Sequence, residues 1–254
     1  MVRGLAKFKH HFKDYSDQFV LIGGAASVEH MEQSGLTFRG TRDLDIVLIV
    51  EALTPAFVRA FWEFIEKGKY GSRCQSQIER KYYRFDKPGD ETYPACIELF
   101  SRNPDSIIFT GLGHITPIPI DEDISSLSAI LLDDDYYSLV SEGSVEVDGL
   151  PCLKPEYIIV LKAKAWIDLN RRSSNGDKID SREIKKHKND VIRLFTVLDP
   201  ALRVDIPEAI LCDLKAFIES VSTETSINLE YLNINEISLQ DILGRLKQIY
   251  RLSE

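Results

Sequence analysis

No apolar run in the chain approaches the roughly 20 residues that a membrane-spanning helix needs, which argues against a helical span. Cysteine is scarce and scattered: Cys74, Cys96, Cys152 and Cys212 form no CxxC pair, so neither a zinc knuckle nor a disulfide framework is indicated. The opening residues Met1-Val2-Arg3-Gly4 lack the apolar core of a signal peptide, and reduced thiols at a cytoplasmic location are the simplest expectation. Positive charge is in deficit, with 31 Lys and Arg against 40 Asp and Glu and a net charge of -9, so no global basic field draws the protein to nucleic acid. Internal repeats and low-complexity tracts are absent as well. What remains is ordinary: 254 residues, 44% hydrophobic and 28% charged, enough for a substantial core in one large domain or two small ones.

A polynucleotide partner would therefore need a local basic patch, and one is present at Lys185-Lys186-His187-Lys188, with Arg171, Arg172, Lys178 and Arg182 upstream. Such a run suits RNA or a triphosphate, and equally a solvated helix face.

Leu5, Phe8, Phe12 and Tyr15 fall at helical spacing, so residues 5–16 read as an amphipathic helix. The apolar run 19–22 reads as a strand leading into a Gly23-Gly24 turn and a short helix to about Glu32, which Ser34-Gly35 breaks. Residues 43–50 read as a strand buried on both faces. Thr54-Pro55 supplies an N-cap and a first-turn proline to a helix carrying Phe57, Val58, Phe61, Phe64 and Ile65, ending near Gly68 or Gly71. Residues 82–85 and 95–100 read as neighbouring strands. Across 103–150, rich in Pro, Asp and Ser, only Ile118-Pro119-Ile120 and Val145-Glu146-Val147 read as edge pieces. From Pro155 a helix begins whose apolar stripe, Ile158, Ile159, Leu161, Ala165, Trp166 and Leu169, is interrupted by Lys162; the remainder is helical, with loops around Pro200, Pro207 and residues 222–235. The expected fold class is α+β: a mixed sheet flanked by helices in residues 1–150, a helical part in 151–254, and a site in the cleft between them.

The chemistry lies in a few residues. Gly23 and Gly24 let a backbone come close to phosphate oxygens without a Cβ in the way. Asp43 and Asp45, at i and i+2 of a strand, point to one face and can reach one Mg²⁺ or share two, with Mn²⁺ as a substitute. Glu98, embedded in the apolar strand Ile97-Glu98-Leu99-Phe100, supplies a third carboxylate. Together these predict nucleotidyl transfer, in which an NMP passes from an NTP to an acceptor hydroxyl. Two metals about 3.5 to 4 Å apart would activate the acceptor and stabilise the leaving pyrophosphate. Asp43 and Asp45 would bridge them, while Glu98 would bind the acceptor-side metal or act as base. That expectation stands on the three carboxylates converging in the fold; an Asp-x-Asp by itself often only caps a turn.

Arg39 and Thr41, just before the acids, suit phosphate oxygens, since Arg makes bidentate phosphate contacts; the bland alternative is a surface loop with ordinary salt bridges. Ser27 reads as a phosphate donor near a helix N-terminus, or as a helix-start hydroxyl without a ligand. Lys162 needs a partner within its apolar stripe, either a triphosphate or an acid such as Asp190, unless it snorkels to solvent. His187 and Cys152 read as structural.

In this order, Leu21-Ile22-Gly23-Gly24-Ala25-Ala26, Phe38-Arg39-Gly40-Thr41-Arg42-Asp43-Leu44-Asp45-Ile46-Val47-Leu48, Ile97-Glu98-Leu99-Phe100-Ser101-Arg102, Leu161-Lys162-Ala163-Lys164-Ala165-Trp166-Ile167-Asp168-Leu169 and Lys186-His187-Lys188-Asn189-Asp190-Val191-Ile192-Arg193-Leu194 resemble the AbiEii/AbiGii-type nucleotidyltransferase family, a branch of the polymerase-β-like superfamily with toxins of abortive-infection and toxin-antitoxin systems. The resemblance covers most of residues 19–195. It implies a nucleotidyltransferase-type mixed sheet with a helical C-terminal part, Mg²⁺-dependent use of an NTP, acceptors such as tRNA ends or proteins, and a cognate antitoxin as partner. By position Asp43 and Asp45 match the family's metal acids, Lys162 its phosphate-holding helix lysine and Asp190 the acid of its late Lys-Asp motif. This chain has Asn189 where that motif usually has lysine, and Gly24 where the wider superfamily often has serine.

Two rivals share these residues. One is modification of a small molecule such as an aminoglycoside, favoured by an acidic cleft wall, as a basic groove near Lys185 to Lys188 would favour RNA. The other is a nucleotide-binding regulator that has lost turnover. Three clustered carboxylates that repel one another argue against an idle site.

Overall fold

Side chains alternate across a strand, and that period of two divides the central sheet into an apolar face and a charged one. The computed structural model describes residues 2–71, 82–100, 130, 133–224 and 227–252. Strand β1 (Phe19–Ile22) is buried throughout and pairs antiparallel with β2 (Asp43–Leu48), setting Phe19 opposite Leu48, Leu21 opposite Ile46 and Ile22 opposite Asp45. β2 runs parallel to β4 (Cys96–Phe100), with Asp45 opposite Glu98, and β4 runs antiparallel to β3 (Tyr82–Asp86), with Arg84 opposite Glu98. On the other side β1 is parallel to β6 (Leu150–Leu153), which carries β5 (Ser144–Val147) antiparallel at its outer edge. The resulting mixed sheet has the order β3-β4-β2-β1-β6-β5.

The register places Phe19, Leu21, Leu44, Ile46, Leu48, Ile97 and Leu99 on one face, all buried. Helices α1 (Leu5–Phe12) and α3 (Pro55–Gly68) bring rings to that face: Phe8 and Phe12 lie 4.4 Å apart between centroids, and Phe12 lies 5.4 Å from Phe64 and 5.7 Å from Phe57. α3 starts where expected, with Thr54 accepting from the Phe57 backbone N–H and Pro55 in the first turn, and Lys69 ends it in the left-handed region.

The opposite face carries Val20, Ile22 and Val47 together with Asp43, Asp45 and Glu98. Helix α2 (Gly23–Gln33) packs there on β1 and β2 and reaches α5 (Pro155–Ser174). α4 (Asp134–Glu142), α6 (Ser181–Phe195), α7 (Glu208–Ser222) and α8 (Leu239–Ile249) complete the described helices, with α5 against α6 and α7 and the Trp166 ring edge-on to Phe217 at 5.2 Å.

The α+β expectation is met, and several local features differ. The first helix stops at Phe12 and tightens into a 3₁₀ turn over Lys13–Tyr15, and β2 ends at Leu48 before another such turn, Val50–Ala52. Gly23-Gly24 is the first turn of α2 itself rather than a loop preceding it. The division expected after residue 150 falls inside β6, and one hydrophobic core joins residues on both sides of it. Residues 145–147 do form an edge strand; Ile118-Pro119-Ile120 lies outside the described residues. β6 and α4 were not expected. The β5–β6 hairpin turns on Asp148 and Gly149, both left-handed at φ 46° and 69°, the Asp-Gly pairing that a two-residue hairpin favours. Cys96, Cys152 and Cys212 are free thiols, and no helix among the described residues is long and apolar enough to cross a membrane.

Phe12 is almost fully enclosed by rings from β1, α1 and α3. Phe12→Ala should therefore cost about 3–5 kcal/mol of unfolding free energy in urea titrations, and a loss below about 1 kcal/mol would contradict the packing described.

Candidate active site

The charged face opens into a cavity of about 580 Å³, walled by β2 and β4 on one side and by α5 and α6 on the other. Such a volume is ordinary for a small-molecule site. Gly23 and Gly24 stand at its floor. Gly23 has φ 62°, and a Cβ there would collide with the Asp45 carboxylate; a Cβ on Gly24 would meet Thr41 Oγ1 at 2.8 Å. Backbone conformation and the close approach of Asp45 together require glycine at position 23. The first-turn N–H groups of α2 end at the same floor, where helix geometry favours an anion.

Asp43 and Asp45 line the cavity from the same face of β2, and Glu98 lines it from β4. Burial pushes the Asp45 carboxyl up; the Asp43 charge adds to this, while the nearby Lys162 charge and a hydrogen bond with Glu98 act in the other direction. Glu98 Oε1 accepts from Arg84 Nη1 at 3.0 Å. The three carboxylates thus share a face and a cavity, yet no three His, Cys, Asp or Glu side chains among the described residues already converge as a metal cluster. Asp45 and Glu98 meet through their hydrogen bond, and Arg84 holds Glu98 from the other side. The donor set fits a hard divalent ion: Asp43 and Asp45 offer carboxylate oxygens from one strand face, Glu98 stands next to Asp45, and a cation would relieve the burial that strains Asp45.

The opposite wall carries Arg39, Lys162 and Lys186, with the acids Asp180 and Glu183 at its α6 end. Asp190, on α6, has no side-chain exposure and accepts two parallel bonds from Arg39, Nε to Oδ1 at 2.7 Å and Nη2 to Oδ2 at 2.6 Å. Lys162 Nζ, on α5, donates to the same Oδ2 at 2.9 Å. Burial opposes ionisation of Asp190, but the Lys162 charge and the Arg39 bonds prevail and hold its carboxyl well below the usual carboxylate range. Asp190 does not line the cavity; it aims Arg39 and Lys162, which do. The sequence suggested a catalytic place for Asp190; the structure sets its carboxylate behind the cavity wall, bonded to Arg39 and Lys162.

Thr41 sits on the rim beside Gly24, as expected of a phosphate contact. Ser27 does not fit its expected part. α2 begins at Gly23, so Ser27 lies in the second turn, fully buried, with Oγ donating to the Gly23 carbonyl at 2.7 Å. The basic run of 185–188 also divides: Lys186 pairs with Glu183, Lys188 is buried against Glu224, and Lys185 faces solvent. It forms no continuous basic groove.

Further residues line the cavity that sequence reasoning passed over, Asp180, Glu183, Arg84 and His187 among them. Arg84 was hidden in a strand pattern, although its placement opposite an isolated strand glutamate is a cross-strand pairing signal. His187 was taken as structural. Its Nδ1 is shielded from solvent and has no hydrogen-bond partner among the described residues, and burial with the charges of Lys162 and Lys186 keeps the ring neutral. Ile158, Leu161, Ala165 and Leu169 of α5 give the same cavity an apolar strip.

The two walls make opposite expectations. Asp190→Asn leaves the buried Lys162 and the half-buried Arg39 without their counter-charge and should cost about 3 kcal/mol. The Asp190 contribution is present at neutral pH and fades only on acidification below the ordinary aspartate pKa of about 4. Asp45→Asn removes a carboxylate that folding disfavours, so its melting temperature at pH 7 without metal should rise; a drop would show Asp45 to be stabilising as it stands.

No family model matches the sequence, and no curated protein sequence does. Among solved structures the chain is similar to that of an antigenic nucleotidyltransferase-like protein from Paracoccidioides brasiliensis, at 13% identity and a TM-score of 0.46 over 98% of this chain and 99% of that one.

Proposed function

We propose that the chain is an Mg²⁺-dependent nucleotidyltransferase that moves an NMP from an NTP to an acceptor hydroxyl on RNA, such as a tRNA end, or on a protein. The observation that carries this reading is the opposition of two walls across one cavity: Asp43, Asp45 and Glu98 face Arg39, Lys162 and Lys186, with the N-terminus of α2 between them. Acids alone would suit a cation, and cations alone an anion. Their pairing suits a metal-bound polyphosphate.

In this reading Asp43 and Asp45 hold Mg²⁺ and Glu98 joins them. The bound ion supplies charge neutralisation for the leaving pyrophosphate and acidifies the acceptor hydroxyl. Arg39 and Lys162, fixed through Asp190, orient the phosphates without having to reorganise during transfer. Gly23 and Gly24 let the phosphates approach backbone N–H groups. The strip Ile158, Leu161, Ala165 and Leu169 gives the uncharged part of the nucleotide an apolar wall. Membership of the AbiEii/AbiGii-type family, a toxin-antitoxin setting and a cognate antitoxin belong to the same proposal and rest on the sequence motifs.

The test is transfer of label from each α-labelled NTP, with Mg²⁺, onto total RNA and onto protein. Wild type should label one acceptor class, and Asp43→Asn with Asp45→Asn should lower the rate by about 10³-fold or more. Label absent from wild type, together with no Mg²⁺-dependent NTP binding by calorimetry, would sink the proposal; binding without transfer would turn it toward a nucleotide-binding regulator.

A further inference from the structure

Arg84, Glu98 and Asp45 stand in one row across three neighbouring strands, β3, β4 and β2. The row continues to Ile22 at the end of β1, where the chain turns into α2 against the Asp45 carboxylate. Within it, Arg84 Nη1 donates to Glu98 Oε1 at 3.0 Å, and Glu98 shares a hydrogen bond with Asp45. Glu98 is mostly enclosed, at 13% side-chain exposure, whereas Arg84, on an edge strand, keeps 34%. All three line the cavity.

The Asp45–Glu98 hydrogen bond places one proton between the two carboxyl groups, and Arg84 supplies the positive partner of the pair. The guanidinium engages a Glu98 oxygen that an incoming divalent ion would also seek, so the two cations compete for one ligand. A guanidinium released from Glu98 would remain on the cavity wall, on a long side chain whose planar donors match phosphate oxygens.

We propose that Arg84 is the resident counter-cation of the carboxylate row, displaced from Glu98 when a divalent metal binds and then turned onto a phosphate of the nucleotide. The inference rests on the nucleotidyltransferase reading. It makes Arg84 a positioning residue that couples the two ligands: metal loading releases the side chain that the nucleotide needs, and by linkage the nucleotide favours metal loading in return.

Mn²⁺ titrations of the full chain, by calorimetry and by electron paramagnetic resonance, test this on wild type, Arg84→Gln and the charge-keeping Arg84→Lys. Without nucleotide, Arg84→Gln should bind Mn²⁺ about tenfold more tightly, the competitor being gone, while Arg84→Lys should stay within about twofold of wild type. At saturating Mn²⁺, the affinity of Arg84→Gln for a non-hydrolysable NTP should fall about tenfold. Should Arg84→Gln not fold, judged by circular dichroism, Arg84→Lys carries the test alone, because its ammonium cannot make the planar two-point phosphate contact and its NTP affinity should still fall. Mn²⁺ affinity unchanged or weakened in Arg84→Gln, with wild type binding normally, would overturn the exchange and leave the transferase reading standing. An unchanged NTP affinity would overturn the phosphate half. Absence of Mn²⁺ binding from every form would overturn the transferase reading and the inference with it.

Discussion

The carboxylate of Asp190 ties the loop bearing Arg39 to the packed pair of helices α5 and α6. Arg39 comes from the loop after α2, 151 positions away in sequence, and Lys162 from α5, 28 positions away. A bidentate guanidinium contact admits little rotation, so the loop bearing Arg39 and Thr41 is held in register with α6. The same bond sets the loop's approach to β2, which begins two residues after Thr41 with Asp43. Removing the anion would free that loop and leave Arg39 and Lys162 without the counter-charge they share. Asp190 itself never meets the cavity, which fits an anchoring part.

A second constraint is the register of β1 against β2. A one-residue slip would turn Asp43 and Asp45 toward the Phe8, Phe12 and Phe64 cluster and expose Leu44 and Ile46 on the other side. The aromatic face thereby enforces the placement of the acids on the opposite face. Catalytic-type residues and core residues alternate along one strand, so the packing energy of the core also fixes the site's geometry.

Much of this was legible in the sequence because it is local. Phe19–Ile22, the Thr54-Pro55 helix start and the helix from Pro155 each carry a pattern that tertiary context reinforces. The i, i+2 spacing of Asp43 and Asp45 fixed their common face, and the apolar surroundings of Lys162 demanded a partner, which Asp190 provides. What escaped reading was long-range or disguised. The pairing of Lys186 and Lys188 depended on Glu183 and Glu224, and the latter's contact spans 36 positions. β6 was masked by Pro151, a residue that usually argues against an interior strand, although Asp148-Gly149 signalled the hairpin. Ser27 misled because its distance from Gly24 suggested a helix start, whereas the helix begins with the glycines themselves. Arg84 had a local signal, opposite charge in a neighbouring strand, that only the register could convert into a contact.

Charge satisfaction distinguishes the cavity from the rest of the interior. Asp190 is oversupplied, with Arg39 and Lys162 in contact and Arg193 Nη1 at 3.8 Å, and its carboxyl is accordingly held ionised. Asp45 lies a short way off in the same field and is undersupplied, because the cation that faces it, Lys162, is already committed to Asp190. His187 adds a shielded nitrogen with no partner among the described residues, kept neutral by the same lysines. Elsewhere Gln18, His30 and Tyr70 close their hydrogen bonds within the chain, while the indole N–H groups of Trp62 and Trp166, which carry no charge, have no partner among the described residues. A shortage of positive charge on one wall and an excess on the other, within one cavity, is a mismatch that side-chain rearrangement cannot remove while Asp190 anchors the cations. On the proposed reading the remedy would be a ligand carrying both signs, a cation for Asp45 and an anion for Arg39 and Lys162, so that the unbalanced charges of the cavity and the metal-bound polyphosphate would satisfy each other.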